Sequence, residues 1–256
     1  MIIDKLCYQS GLRYVNANLK FIFAMTSLLC CVISRSVPAA LTVLVTNAVL
    51  TVKIGGISFA KYRKLMRVPF AFLLLSTLTI IVNISGEPMD GYAFLIGNLY
   101  LTGSRASLVF GAKLILTALA AVSSLYFLTL NTTMTDILGV MEWLHVPALI
   151  TELMMLIYRF IFVLTEVASN ITVSQYSRLG NRDFQTSLRS FGQMAAAVFV
   201  RAVKKSRFLY DAMESRCYDG KVRVLREQYP AKRWQIGLVA GYECLLIGIV
   251  IVEKCL

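Results

Sequence analysis

Apolar and polar positions divide this chain into runs long enough to sit in a membrane, separated by short charged joints. Residues 21–33 and 37–52 are apolar, and each is shorter than the roughly 20 residues that cross a hydrocarbon core comfortably. With Ser34-Arg35-Ser36 between them they predict a tight helical hairpin. A loop over 53–67 follows, carrying Lys53, Lys61, Arg63, Lys64 and Arg67 and no acid. Residues 68–85 predict a third span. The Gly-rich stretch 86–104 carries Glu87 and Asp90 without Lys or Arg, so it belongs on the opposite side, with 92–101 dipping into the interface. A fourth span lies within 105–130, with Lys113 close enough to its outer end to snorkel. Asn131-Thr132-Thr133 is a capping signal for a short helix to about Leu144, and Pro147 opens the next helix.

Residues 147–173 are apolar enough to span, but they carry Glu152, Arg159 and Glu166 at intervals of seven. Seven residues is about two helical turns, so the three charges share one stripe. Such a stripe is costly to leave in lipid. Crossing here would also place the most basic block of the chain outside, against the positive-inside rule. The expectation is therefore a helix on the cytoplasmic side that does not span. Gly180-Asn181 breaks it, and Asp183 or Asn181 can cap a long helix from about Phe184 to Ser215. Phe184, Leu188, Phe191, Ala195, Val198, Ala202 and Leu209 keep to one face of that helix, which is expected to pack on the 147–173 helix and on a partner. At 1.5 Å per residue it forms a rod of about 48 Å. Asp219-Gly220 marks a turn, and 234–252 is a last span behind Lys232-Arg233.

The fold class expected is thus an all-α membrane protein. It has about five transmembrane helices plus a cytoplasmic domain of long crossed amphipathic helices, with boundaries at 1–130, 131–230 and 231–256. Composition agrees. Over 256 residues only 16% are charged, against roughly a quarter in soluble domains, and mean hydropathy is +0.69. A soluble enzyme is excluded. The first apolar run is followed by Ser34-Arg35-Ser36 and a second apolar run rather than a cleavage site, so it is expected to be retained. Lys5, Arg13 and Lys20 against Asp4 favour a cytoplasmic N-terminus.

Chemistry-bearing motifs are sparse. The six cysteines form no Cys-x-x-Cys, and the single histidine, His145, cannot build a His-rich metal site, so no metal site is expected in this chain. Gly55-Gly56 leads to no Lys-Ser or Lys-Thr, so ATP, if used, would be bound by another chain. Glu243 in the last span is either a proton-coupling carboxylate or an internal hydrogen-bonding group.

What remains is the basic block at 174–233, which holds 13 of the 26 Lys and Arg with five Asp or Glu, a surplus of eight in a chain of net charge +12. Attraction to the lipid bilayer would account for scattered charge. Nucleic-acid binding is disfavoured, because no aromatic stacking residues are interleaved with the charges beside the spans. Neither reading asks for two helices that each end in a small–Arg–apolar triplet, Ser177-Arg178-Leu179 and Ser215-Arg216-Cys217. An Arg at a helix end presents a fork of donors to carboxylates or carbonyls, which suits a docking surface with two equivalent points.

Ala212-Met213-Glu214-Ser215-Arg216-Cys217-Tyr218-Asp219-Gly220 resembles the Ala-Met-x-x-Arg-Gly-Phe/Tyr-x-Gly signature of the transmembrane subunits of energy-coupling-factor transporters, in their cobalt-transport branch. Ser177-Arg178-Leu179 matches that family's first Arg signature by position. Ile3-Asp4, Asn18-Leu19-Lys20, Asn131-Thr132-Thr133 and Arg159 also fit, so the resemblance covers nearly the whole chain. The chain departs from the family at Cys217, where Gly is usual, and at Leu179, where a small or polar residue is usual. A left-handed helix exit suits Gly better than Cys.

The resemblance implies a non-enzymatic, multi-pass coupling subunit of an ATP-driven importer in the plasma (inner) membrane, with its coupling domain cytoplasmic. Two ATPase subunits, identical or different, would dock on it. A separate CbiM-like substrate-capture membrane subunit would hold cobalt, with room for a small accessory membrane protein. ATP and Mg would be bound by the ATPase partners and no cofactor by this chain. Arg178 and Arg216, with Ser177, Leu179, Ser215 and Cys217 around them, would be the docking residues, and Glu152, Arg159 and Glu166 would be structural residues of the coupling helix. The alternatives are a shared subunit serving vitamin-capture proteins, or a stand-alone permease.

Overall fold

A computed structural model describes residues 2–81, 83–85, 92–96, 99–103, 105–220 and 229–255. Helix α1 (Ile2–Gln9) leads through one 3-10 turn (Gly11–Tyr14) into α2 (Ala17–Ser34). The Asn16 side chain caps α2 by accepting from the N–H groups of Asn18 and Leu19 at 3.0 and 3.3 Å. The expected hairpin forms at Ser34-Arg35-Ser36. Arg35 takes a left-handed conformation at φ 50, and Ser36 caps α3 (Val37–Val49), whose last turn widens into a π-helical segment (Leu50–Ile54). Helix α4 (Phe59–Ile81) contains Pro69. Where an interface segment is expected at 92–101, the chain forms a small antiparallel sheet of β1 (Asn83–Ser85), β2 (Tyr92–Ile96) and β3 (Leu99–Gly103), with β3 in the middle. Glu87 and Asp90 lie outside the described residues.

Helix α5 (Arg105–Asn131) is followed by α6 (Met134–Trp143), whose first turn is capped by Thr133 accepting from the Asp136 N–H at 3.3 Å. Then come α7 (Ala148–Ser177), α8 (Phe184–Glu214) and α9 (Arg233–Cys255). The chain divides into two compact units, one of residues 1–137 with 227–256 and one of residues 138–226.

In the first unit α5 is the central helix, with α2, α3 and α4 packed around it and α9 against α2 and α3. Small residues permit the close approach. Cys31, Ala40, Val43, Ala120 and Leu246 are all fully buried where α2, α3, α5 and α9 meet. Polar side chains add bonds between helices. Asn47 of α3 donates to Ser123 and Ser124 of α5 at 3.1 and 2.9 Å, and the Thr46 hydroxyl and Tyr242 phenol lie 2.9 Å apart between α3 and α9. Thr26 bonds the carboxylate of Glu243, which is the internal hydrogen-bonding role rather than a free carboxylate.

A buried polar knot closes the end of α5. The Lys20 ammonium donates to the backbone oxygens of Leu12 and Asn131 at 3.1 and 2.9 Å, and the Ser10 hydroxyl donates to Asn131 Oδ1 at 2.7 Å. Asn131 Nδ2 returns to the Phe127 carbonyl at 2.8 Å. A cation against the last carbonyls of α5 also meets the negative end of the helix dipole. Gly55 sits against this knot: a Cβ there would lie 2.5 Å from the Thr51 carbonyl oxygen and 2.6 Å from Asn131 Oδ1.

Among the described residues five helical segments are long and apolar enough to cross a membrane: Ala17–Ser34, Val37–Ile54, Ser107–Asn131, Ala148–Ser177 and Arg233–Glu253. This is a multi-pass membrane protein with the helical architecture expected. The set differs from the expected one in two members. Helix α7 qualifies by length and composition, whereas α4, with Lys61, Arg63, Lys64 and Arg67 in its first half, is not among the five.

Candidate functional site

The second unit is built on α7 and α8, joined by a tight turn. Gln175 Nε2 donates to the Ser190 carbonyl at 2.8 Å, Ser190 Oγ to the Gly180 carbonyl at 2.8 Å, and Thr172 Oγ1 to the Met194 sulfur at 3.1 Å. Gly180 has no room for a side chain, since a Cβ would stand 2.9 Å from the Gln175 carbonyl oxygen and 3.0 Å from Ser190 Oγ. At the other end the Tyr218 phenol donates to Glu152 Oε2 at 2.9 Å. That bond, and the carboxylate behind it, raise the Tyr218 pKa above its ordinary value. The two helices therefore run antiparallel. Arg178 stands at the turn and Arg216 at the far end, about 46 Å away along a helix of 31 residues.

The two Arg triplets have the same backbone geometry. After Arg178, Leu179 adopts φ 57, and after Arg216, Cys217 adopts φ 58. In the first, Leu179 N bonds the Tyr176 oxygen at 3.1 Å and Gly180 N the Gln175 oxygen at 2.8 Å. In the second, Cys217 N bonds the Glu214 oxygen at 3.0 Å and Tyr218 N the Met213 oxygen at 3.1 Å. Each is a Schellman motif, with the Arg at the C-cap and the following residue left-handed. The preceding serines match too. Ser177 Oγ donates to the Val173 carbonyl at 3.1 Å and Ser215 Oγ to the Asp211 carbonyl at 2.7 Å. Those hydroxyl protons serve the serines' own helices, while the guanidinium groups of Arg178 and Arg216 are on exposed residues.

Leu179 and Cys217 thus occupy the conformation that glycine would hold without strain. A left-handed L-residue costs roughly 1–2 kcal/mol, part of which glycine returns through its freer unfolded chain. Cys217→Gly is expected to raise stability by about 0.5–1 kcal/mol in a thermal or denaturant melt. A loss of that size would mean that the Cys217 side chain makes a stabilising contact.

A polar groove of about 530 Å³ lies between α7 and α8 beside the first triplet, lined by Arg178, Arg201, Gln193, Asn170 and their neighbours and by no acid. Sequence alone did not single out Arg201. It sits mid-helix among Lys204, Lys205 and Arg207, and only the folded pairing of α7 with α8 sets it apart from them. The arrangement offers planar, permanently charged donors to a carboxylate or a carbonyl-rich segment.

The charged stripe of α7 resolves into separate roles. Glu152 accepts from Tyr218, whereas Arg159 and Glu166 are not among the buried residues. The first half of the apolar face expected on α8 is corrected, whereas Val198, Ala202 and Leu209 are half-buried. Phe184, Leu188, Phe191 and Ala195 are exposed rather than packed on α7, and Phe184 retains 86% of its surface. Ser190 and Met194 make the contact instead, because small or flexible side chains let two helices approach where Phe would hold them apart. Among the described residues no group of three or more His, Cys, Asp or Glu is placed to hold a metal ion.

Cysteine accessibility follows from the same geometry. Cys217 is exposed outside the long apolar helices, whereas Cys7 is 4% exposed with its thiol donating to the Asp4 carbonyl at 3.0 Å. Burial, and then the Asp4 carboxylate, raise the Cys7 pKa, so less of its reactive thiolate is present near neutral pH. A maleimide is expected to label Cys217 at least about tenfold faster than Cys7. Equal rates, followed by peptide mass spectrometry, would contradict this packing.

Residues 9–227 match the family model of CbiQ, a cobalt transport protein. An uncharacterized protein of Methanocaldococcus jannaschii is 31% identical over 254 residues, which cover 99% of this chain and 94% of that one. A putative fused cobalt transport protein CbiMQ of Methanocorpusculum labreanum is 29% identical over 256 residues, all of this chain and 43% of that longer protein. The cobalt transport protein CbiQ of Salmonella typhimurium is 27% identical over 219 residues, 85% of this chain and 97% of that one.

Proposed function

We propose, since this chain belongs to the CbiQ family of cobalt transport proteins, that it is the transmembrane coupling subunit of an ATP-driven cobalt importer of the energy-coupling-factor type. The observation that carries this reading is the duplicated helix end. Two Arg residues about 46 Å apart leave their helices through the same Schellman geometry. A repeated end suits a partner with two equivalent binding grooves, and a pair of ATPase subunits is such a partner. ATP and Mg would be bound there, and α7 and α8 would act as levers on the cytoplasmic side of the plasma membrane.

The cobalt ion itself would be held by a separate capture subunit. The fused relative carries a CbiM name beside its CbiQ name, which supports a CbiM-like module as that partner. The exposed apolar face of α8, with Phe184, Leu188 and Phe191, offers a contact surface for it. The test is to purify the intact complex with parent and Arg variants and measure both retained ATPase and cobalt uptake. ATPase subunits that stay bound and couple normally without either Arg would overturn the reading.

A further inference from the structure

The first unit contains a cleft that the coupling role does not use. It has a volume of about 470 Å³, opens between α2, α3 and α9, and is almost wholly apolar. Leu12, Ile54 and Trp234 line one end, and Phe23, Val45 and Tyr242 line it further in. Two helices give the same length: from 234 to 242 on α9, and from 45 to 54 along α3 and its π turn, the cleft runs about 12–14 Å. An apolar cleft of this length and volume can hold part of a hydrocarbon chain.

Cations flank this end of the cleft. Each of the three residues there has a cation as chain neighbour: Arg13 beside Leu12, Lys53 beside Ile54, and Arg233 beside Trp234, with Lys232 next. Lys53, Lys232 and Arg233 are exposed. The two helix starts are held together, since Asn16 Nδ2 donates to the Tyr229 carbonyl at 2.8 Å and the Tyr14 and Tyr229 rings meet edge to face at 5.5 Å. Trp234 is 62% exposed in the first turn of α9, and an indole at the end of a span suits a membrane interface.

We propose that this cleft is a binding site for one acyl chain of an anionic phospholipid, with the headgroup phosphate held among Arg13, Lys53, Lys232 and Arg233. The chain enters between α2 and α9 and ends near Tyr242, and the lipid becomes a fixed part of the bundle wall.

The chain has two tryptophans, so Trp143→Phe leaves Trp234 as the reporter. The full-length variant is reconstituted in phosphatidylcholine vesicles with increasing fractions of phosphatidylglycerol brominated near the head of its acyl chains, and in parallel with phosphatidylcholine brominated at the same place. The expected result is saturable quenching of Trp234, reached at about fivefold lower mole fraction with phosphatidylglycerol. Lys232→Gln with Arg233→Gln should bring the two curves together. Val239→Phe, which narrows the cleft, should remove the saturable part; if it fails to fold, Val45→Phe on the facing wall serves the same purpose. Quenching that rises linearly with both lipids, coincident curves in the parent, or a folded cleft-filling variant that still saturates would each overturn the proposal.

Discussion

Arg178→Ala combined with Arg216→Ala should abolish cobalt uptake while the protein still inserts and folds. Neither guanidinium makes an ion pair among the described residues, and the helix ends at both sites are held by backbone bonds that alanine keeps. Stability should therefore change little, within about 0.5 kcal/mol. Association with a partner is another matter. Truncating one side of a buried charge-assisted contact costs about 2–5 kcal/mol, or at least roughly thirtyfold in affinity per site. Each single variant should weaken ATPase retention and uptake, and the double variant should lose both. Arg→Lys at the same positions separates charge from shape, because lysine keeps the charge but not the planar fork. If the double variant transported cobalt normally, the docking role of these residues would be wrong.

The second large effect is expected in the polar knot, and it should appear in stability first. Asn131→Ala removes the acceptor of the Ser10 hydroxyl, leaving that buried donor without a partner, and also removes the second bond to the Phe127 carbonyl, which keeps its helical one. At about 1–3 kcal/mol for the stranded hydroxyl and about 1 kcal/mol for the lost second bond, the loss should be about 2–4 kcal/mol. Gly55→Ala should cost a similar amount for a steric reason, because its Cβ would press within 2.5 Å of the Thr51 carbonyl oxygen, a backbone atom. The same substitution at Gly192, where nothing lies within 4 Å of a new Cβ, should instead stabilise by about 0.5–1 kcal/mol through helix propensity. Melting of the three variants in one detergent checks the set. A Gly55→Ala protein as stable as the parent would mean that the knot is not packed as described.

The contrast between these regions explains what the sequence could show. Helix ends were legible because their causes are local. Ser34-Arg35-Ser36 turned where expected, Thr133 capped α6, and the long helix expected from Phe184 to Ser215 is found as Phe184–Glu214. Asp183 holds the N-cap position of α8, although its side chain makes no capping bond and pairs with Arg182 at 3.4 Å. The knot was not legible, because Ser10 and Lys20 are separated from Asn131 by 121 and 111 residues and no periodicity links them. It surfaced only as weak fragments of a family resemblance. The packing of the first half of the α8 apolar face on α7 was misjudged for a related reason. A helical stripe says which residues share a face, but which neighbour meets that face is decided by side-chain size at the contact. The paired left-handed exits at Leu179 and Cys217 ran against residue preference, so backbone bonding at the helix end overrides the side chain there.

The knot also sets an order of events during synthesis. Lys20 leaves the ribosome 111 residues before the carbonyl of Asn131 that it caps. At about 5–20 residues per second that interval is roughly 6–22 seconds, long enough for the first hairpin to reach the bilayer alone. Throughout it the ammonium lacks its second acceptor, so the bonds that close this end of the bundle cannot be complete until the central helix has been made.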